Sequence, residues 1–468
     1  MRYRLEEYHP DADFEALVAR LLEDPTELEL VFNGDLFDFD TPWVKDGDSS
    51  HDEFPVDGEG CAGHAARIVS DHAGWFRATA RVLRAGHRVL FMSGNHDVEM
   101  VFPSVRAVLR RALVEHARTL AEAEGAPPPS PAEEDEMSAR VRFRAWFHVT
   151  EDGIYFEHGS QYDLFNAVRW AMMPFSRERR AIHPVMGKLA FKRLGARMGY
   201  FNPYYEETFY AGFTEHAAHF LKFYARSRRH IIRLWVKGAL RTVGEIWRHR
   251  HDDDWDAEDT DLARAETGAT PDAIRRTRAL AIRPAEVTMV PILRELWLDR
   301  TAIVTLSIVL VLASAAVGWP FAAITAAVVA ALFVAYEIVT PKPDLRTYDQ
   351  APATVRALWD IHGARAICMG HTHRPFAHWV EGRFHGNSGA WCPAFKDQLC
   401  TQPVLDRRPV LLLTTEGETI RGGLHWWDGV ALRPDGDPSR SDDAVVGSPV
   451  LDYHRAPCPN PTAADHGA

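Results

Sequence analysis

Thiols are scarce in this chain. Its 468 residues include five cysteines, Cys61, Cys368, Cys392, Cys400 and Cys458, an odd number without any Cys-x-x-Cys pair. That usage excludes a zinc ribbon, offers no disulfide framework and fits a reducing compartment. The opening MRYRLEEYHPDADF puts no apolar run behind its arginines, so no secretory leader is read there. No internal repeat is visible, which sets aside solenoids and propellers. What is present is the composition of a folded protein: 46% hydrophobic and 25% charged residues, with a formal net charge of −12. Disorder of the whole is excluded, and the length leaves room for about two or three domains.

Charge is absent altogether from Thr301 to Tyr336. The two halves, TAIVTLSIVLVLASAAVG and WPFAAITAAVVAALFVAY, each approach the roughly 20 residues that span a hydrocarbon core, with Gly318, Trp319 and Pro320 as the turn. Helices in soluble cores seldom stay uncharged on every face, so a transmembrane hairpin is expected over the alternative of a buried helical pair. Arg300 precedes the first span, and Lys342 and Arg346 follow the second. Both ends therefore lie on the positive side, which places the bulk of the chain in the cytoplasm.

The stretch from Leu164 to Arg250 is unbalanced in the opposite sense, with 17 Lys/Arg against 5 Asp/Glu. Within it Arg226, Arg229, Arg233, Lys237 and Arg241 recur every three or four residues. Ile232, Trp235, Val236, Ala239, Leu240, Val243, Ile246 and Trp247 mark a second face. This pattern predicts a basic amphipathic helix for an anionic membrane surface, or else a surface helix packing its apolar face on its own domain. The nearby hairpin makes lipid a better partner than nucleic acid. Glu124–Met137, Pro-rich and acidic, and the acidic run His251–Asp261 are expected as solvated loops, and the tail from about Pro434 as disordered.

Elsewhere strands and helices alternate, predicting an α/β layered sheet. Strands are expected at Glu29–Phe32 and Arg88–Ser93, and helices over about Gly63–Ala85 and Pro103–Ala121. The strand ends share a pattern. ELVF runs into Asn33-Gly34-Asp35-Leu36-Phe37-Asp38, and RVLFMS into Gly94-Asn95-His96-Asp97. GIYFE runs into His158-Gly159, and RAICM into Gly370-His371-Thr372-His373. Carboxyl ends of strands are where open α/β sheets collect ligands. Any one of these residues could be an ordinary turn or capping group, but Asp, Asn and His together suit a divalent ion such as Mn²⁺, Fe²⁺ or Zn²⁺.

GDLFD, GNHD, EHG and GHTH, in this order, resemble the calcineurin-like metallophosphoesterase superfamily, over roughly residues 28–163 and 343–432. The core motifs are similar to those of the UDP-2,3-diacylglucosamine pyrophosphatase subgroup, which splits a lipid-linked pyrophosphate at the membrane surface. The resemblance implies an αββα sandwich with two metal ions. Asp35 would bridge them, Asn95, His158 and His371 would complete one site, and His373 would belong to the other. His96 would lie beside the phosphate, as leaving-group proton donor or transition-state stabiliser. Asp38 would be a helix-start or supporting group, and Asp97 and Asp163 would orient neighbouring histidines. The family's first strand, ending in Asp-x-His, is not matched here, since neither His9, Asp11 nor Asp13 follows an apolar strand. A start codon further upstream, or a degenerate member, would account for this, and the second metal site is expected to be incomplete in the sequence as given.

The resulting expectation is a metallophosphoesterase core in two parts, 1–163 and 343–433. They are separated by a basic helical insert, 164–297, and a transmembrane hairpin, 298–342, and followed by a tail, 434–468. The expected function is metal-dependent hydrolysis of a phosphoester or pyrophosphate, of a lipid-linked or nucleotide substrate, at the membrane. A membrane scaffold on a catalytically impaired phosphoesterase fold is the alternative.

Overall fold

The computed structural model describes residues 10–40, 44–45, 48–49, 55–174, 181–183, 185–190, 192–193, 231–249, 261–287, 289–340, 352–391 and 408–435. In chain order its strands are β1 (Glu29–Asn33), β2 (Val44–Lys45), β3 (Asp48–Ser49), β4 (Arg88–Met92), β5 (Val141–Arg144), β6 (Phe147–Val149) and β7 (Ile154–Glu157). Then follow β8 (Ala366–Met369), β9 (Phe376–Val380), β10 (Arg383–Asn387), β11 (Arg408–Glu416), β12 (Thr419–Trp427) and β13 (Leu432–Pro434). The architecture is mixed α/β, as the alternating pattern indicates.

Two sheets position the strand-end residues. β1, β4 and β5 form a parallel sheet with β1 at one edge, and β6-β7-β8-β10-β9 form a second sheet of mixed direction. β1 and β4 align Asn33 with Met92, so Gly34-Asp35 and Gly94-Asn95 leave the sheet side by side. β7 and β8 align Phe156 with Cys368, which brings out His158 and His371 together. The Asn33 side-chain amide donates to the carbonyls of Glu157 and Cys368, each at 3.2 Å, and so joins the carboxyl ends of the two sheets.

The first sheet buries its apolar face under helices Asp11–Leu21, Gly58–Asp71, Ala73–Arg84 and Pro103–Ala123. Phe14, Phe32, Trp75 and Phe91 stack there with ring centroids 4.9–6.3 Å apart, a spacing that adds specific aromatic contact to area burial. The single helix expected over Gly63–Ala85 is two helices broken at His72, the first starting earlier because the Asp57 side chain accepts the Gly60 amide at 2.8 Å. The expected loop Glu124–Met137 is in part a helix, Pro131–Arg140. Ser130 and Glu133 form a reciprocal capping box and Pro131 fits the first turn, local signals that outweigh the acidic composition.

Helix Ile231–His249 packs Ala239 and Ile246 against Phe165, Met186, Leu189, Ala285 and Ile292. Arg233, Lys237, Arg241 and Arg248 face outward, together with Leu240 and Trp247, which are 59% and 53% exposed. One stripe of the apolar face is thus seated on the protein, as the packing alternative expects, and another is displayed beside the basic residues. Arg226 and Arg229, the loop residues 251–260 and the tail from 436 lie outside the described residues.

Helices Leu298–Val317 and Trp319–Val339 are each long and apolar enough to cross a membrane. None of their residues is buried in the protein, and Leu312, Trp319, Ile324 and Leu332 are 63–80% exposed. A soluble core hairpin would instead be covered. Ser314 and Thr325 share a hydrogen bond of 2.8 Å near the turn. At the base, Arg300 donates to Glu337 at 2.6 Å and the Tyr336 hydroxyl to Asp299.

Candidate metal centre

Asp35, His158 and His371 offer ligand atoms within 4.8 Å of one another at the shared edge of the two sheets. Backbone geometry sets them there. Asp35, His371 and His373 have φ of 53°, 65° and 59°, in the left-handed region, which non-glycine residues adopt at a cost that surrounding structure must offset. The Asp97 carboxylate provides that support for Asp35, accepting the amides of Gly94 at 2.6 Å, Leu36 at 2.8 Å, and Asp35 and Phe37 at 3.3 Å. Burial and the nearby Asp35 carboxylate push the Asp97 carboxyl up to about 6.

The glycines before the acidic and amide residues have steric reasons. A Cβ on Gly34 would stand 2.4 Å from His158 Nδ1, and one on Gly94 would stand 2.2 Å from Asp35 Oδ1. Side chains there would displace the donors themselves.

The hydrogen-bond pattern fixes which atoms face the centre. His158 Nδ1 lies 2.9 Å from the Asn33 carbonyl, which can only accept, so Nδ1 carries the proton and donates. The Asn95 amide donates to Asn166 Oδ1 at 3.4 Å, leaving Asn95 Oδ1 turned to His158. His158 Nε2 then meets Asp35 Oδ2 at 3.0 Å and Asn95 Oδ1 at 3.2 Å. Three acceptor atoms facing one another repel unless a proton or a cation sits among them. Asp35 is shielded from water, which would raise its pKa, but His158 and His96 hold it well below the usual carboxylate range. The donor set of carboxylate, amide oxygen and imidazoles fits a borderline divalent ion.

Asp163 holds the fourth donor. Its Oδ2 lies 2.9 Å from His371 Nε2 and 2.7 Å from the Asn166 side-chain amide, which links it to Asn95. Carboxylates behind a histidine ligand fix ring orientation and raise basicity. His373 falls outside that compact group but lines the same cleft, near enough to Asp35, His371, His96 and His158 to feel their charge.

His96 approaches from the other side. Its backbone amide donates to Asp35 Oδ1 at 2.8 Å, and its Nδ1 lies 3.1 Å from Asp40 Oδ2 and 3.6 Å from Asp38 Oδ1. Loss of solvent opposes charging the ring, but Asp35, Asp38 and Asp40 carry its pKa well above the ordinary value. Asp38, Asp40 and His96 are also close enough to hold a cation. The ammonium groups of Lys188 and Lys192, 3.1 and 3.2 Å from Asp40 Oδ1, already supply positive charge there.

A cleft of about 1550 Å³ runs along the open edge of β1, lined by Leu30, Phe32, Trp391 and Leu411, and reaches Asp35, His96, His158, His371 and His373. Sequence reasoning singles out Asp35, Asn95, His158 and His371, which the fold brings together, but misses Asn33, Asp40, Lys188 and Lys192. Asp40 could have been noticed as the third acid of DLFDFD, whereas nothing local marks the lysines. Compared with known proteins, the chain matches no family model, no curated protein and no solved structure.

Proposed function

We propose that this protein is a membrane-anchored, metal-dependent phosphoesterase of the calcineurin-like kind, with an αββα sandwich and its folded body on the cytoplasmic side. The observation that carries this reading is the convergence of Asp35, Asn95, His158 and His371 from four strand ends, with Asp35 Oδ2 and Asn95 Oδ1 both within 3.2 Å of His158 Nε2. These four residues would hold one divalent ion, and Asp35 with His373 would contribute to a second. When bound, such ions activate water and neutralise phosphoryl oxygens.

The chain's own groups have definable tasks. Asp35 and His158 fix the donor geometry, and Asp163 keeps the His371 ring in place. His96, held at Nδ1 by Asp40, lines the cleft, where its ring can donate a proton to a departing oxygen or stabilise phosphoryl charge. The exposed Arg233, Lys237 and Arg241 with Leu240 and Trp247, together with the apolar hairpin, favour a substrate that is itself lipid-linked, and an anionic bilayer as partner.

A second reading, a phosphoesterase-fold scaffold with impaired catalysis, is favoured by His373 belonging to neither compact donor group among the described residues, the second of which, Asp38, Asp40 and His96, already faces two lysines. The deciding experiment strips the full-length chain of metal in detergent, restores Mn²⁺, Fe²⁺ or Zn²⁺ singly, and assays a phosphodiester and a pyrophosphate. Metal-dependent hydrolysis lost in Asp35→Asn supports the enzyme; metal binding without hydrolysis under every condition supports the scaffold.

A further inference from the structure

Behind His96 lies a group of buried charges. Asp40 and Glu99 are 0% and 1% exposed, and Lys188 and Lys192 are each 5% exposed. Lys188 Nζ lies 3.1 Å from Asp40 Oδ1 and 2.8 Å from Glu99 Oε2, and donates to the His96 carbonyl at 3.0 Å. Lys192 Nζ lies 3.2 Å from Asp40 Oδ1. The other oxygen of Asp40 faces His96 Nδ1 at 3.1 Å. Both the ring and the backbone of His96 are therefore gripped by one cluster, and its two cations come from the segment between the halves of the α/β body.

Stability alone is a poor reason for such a cluster. Withdrawing four charged groups from water is costly, and apolar replacements of similar volume often do as well or better. Met186 and Leu189, beside Lys188 in helix Met186–Ala190, already pack this segment through apolar contact with Phe165, Ala239 and Ile292. The lysines add a directional link that packing does not supply.

We propose that Lys188, assisted by Lys192, is a positioning residue for His96, acting through Asp40, so that the inserted segment forms part of the reaction centre. The inference rests on the phosphoesterase reading. Lys188 touches no substrate in this scheme. It orients Asp40, and Asp40 fixes the ring of His96 at the wall of the cleft.

The test is a double-mutant cycle on the full-length, Mn²⁺-loaded protein: wild type, Lys188→Met, His96→Ala and the pair. Lys188→Met should lower kcat by about 30- to 100-fold, with KM changed by less than about twofold, and in the His96→Ala background it should cost less than about twofold. Additive losses, or an unchanged kcat in Lys188→Met, overturn the proposal. The spectroscopic readout is the His96 Nδ1 proton in the spectrum of ¹⁵N-histidine-labelled protein, identified by its loss in His96→Ala. Its hydrogen-bonded, downfield position should be lost in Lys188→Met, and an unmoved signal counts against the proposal. Should Lys188→Met not fold, the isosteric Asp40→Asn takes its place in the cycle with the same outcomes expected. A wild type without any metal-dependent hydrolysis removes the phosphoesterase reading and this proposal together; an active wild type with additive losses removes the proposal alone.

Discussion

His158 Nε2 lies 3.0 Å from Asp35 Oδ2 while His158 Nδ1 is committed to the Asn33 carbonyl. Replacing the carboxylate with an amide should therefore remove both charge and a ligand atom. Asp35→Asn is expected to weaken Mn²⁺ binding by at least about 100-fold and abolish hydrolysis. Calorimetry on the metal-stripped chain measures the first, and retained affinity would contradict the assignment of Asp35.

Asp163→Asn addresses the support of His371. The ring would lose its charged partner and some of its basicity while remaining in place, so Mn²⁺ affinity should fall by roughly 10- to 100-fold with little change in the unfolding midpoint. Equal loss of stability and affinity would instead indicate a purely structural carboxylate.

Gly94→Ala should be damaging without changing any charge. The new Cβ would fall 2.2 Å from Asp35 Oδ1 and 2.5 Å from the Asp35 backbone nitrogen. We expect a destabilisation of about 2–4 kcal/mol and loss of metal binding, read by thermal unfolding with and without Mn²⁺. A substitution within about 0.5 kcal/mol of wild type would show that the loop shifts freely.

Acid should destabilise the fold through histidines remote from the centre. Burial, then the charges of Arg144 and Arg142, push His148 down to about 4; burial likewise holds His362 at about 4 and His385 at about 3. Their folded pKa values lie below that of an unfolded imidazole, so the stability they contribute is complete above about pH 6.5 and is lost as the pH falls toward 4. The His148 share is about 3 kcal/mol at most. His148→Gln should flatten the decline of the unfolding midpoint between pH 6.5 and 4, and an unchanged slope would refute its part.

The proposed membrane attachment would have two separable components. Deleting Thr301 to Tyr336 should move the chain from a salt-resistant membrane fraction to the soluble one, and an intact chain that is soluble without detergent would exclude anchoring. Reversing Arg233, Lys237 and Arg241 to Glu should weaken binding to phosphatidylserine vesicles more at low than at high salt. Unaltered vesicle binding would assign the helix to packing alone.

The strand ends were legible because their signals are local: a run of apolar residues, a glycine, then a donor. The register of Asn33 with Met92 and of Phe156 with Cys368 turns four such signals into one centre. Helix Pro131–Arg140 departs from the loop that its acidic, Pro-rich composition predicts because the Ser130–Glu133 capping box is the stronger local signal. Lys188 could not be read at all, since its meaning depends on Asp40 and Glu99, far away in sequence and adjacent only after folding. The face of helix Ile231–His249 stayed ambiguous for a related reason: its apolar residues exceed what one packing stripe can cover, and only tertiary contact shows that Ile246 is seated and Trp247 is not.

The five-stranded sheet is stitched from both sides of the hairpin, β6 and β7 coming before it and β8 to β10 after it. Parallel pairing of β7 with β8 means that chain continuity through the apolar hairpin is not all that keeps the two parts together. A single cut at the turn near Gly318 would yield two polypeptides that separate in detergent gels yet travel as one particle in native conditions, a naturally bipartite protein joined by backbone hydrogen bonds.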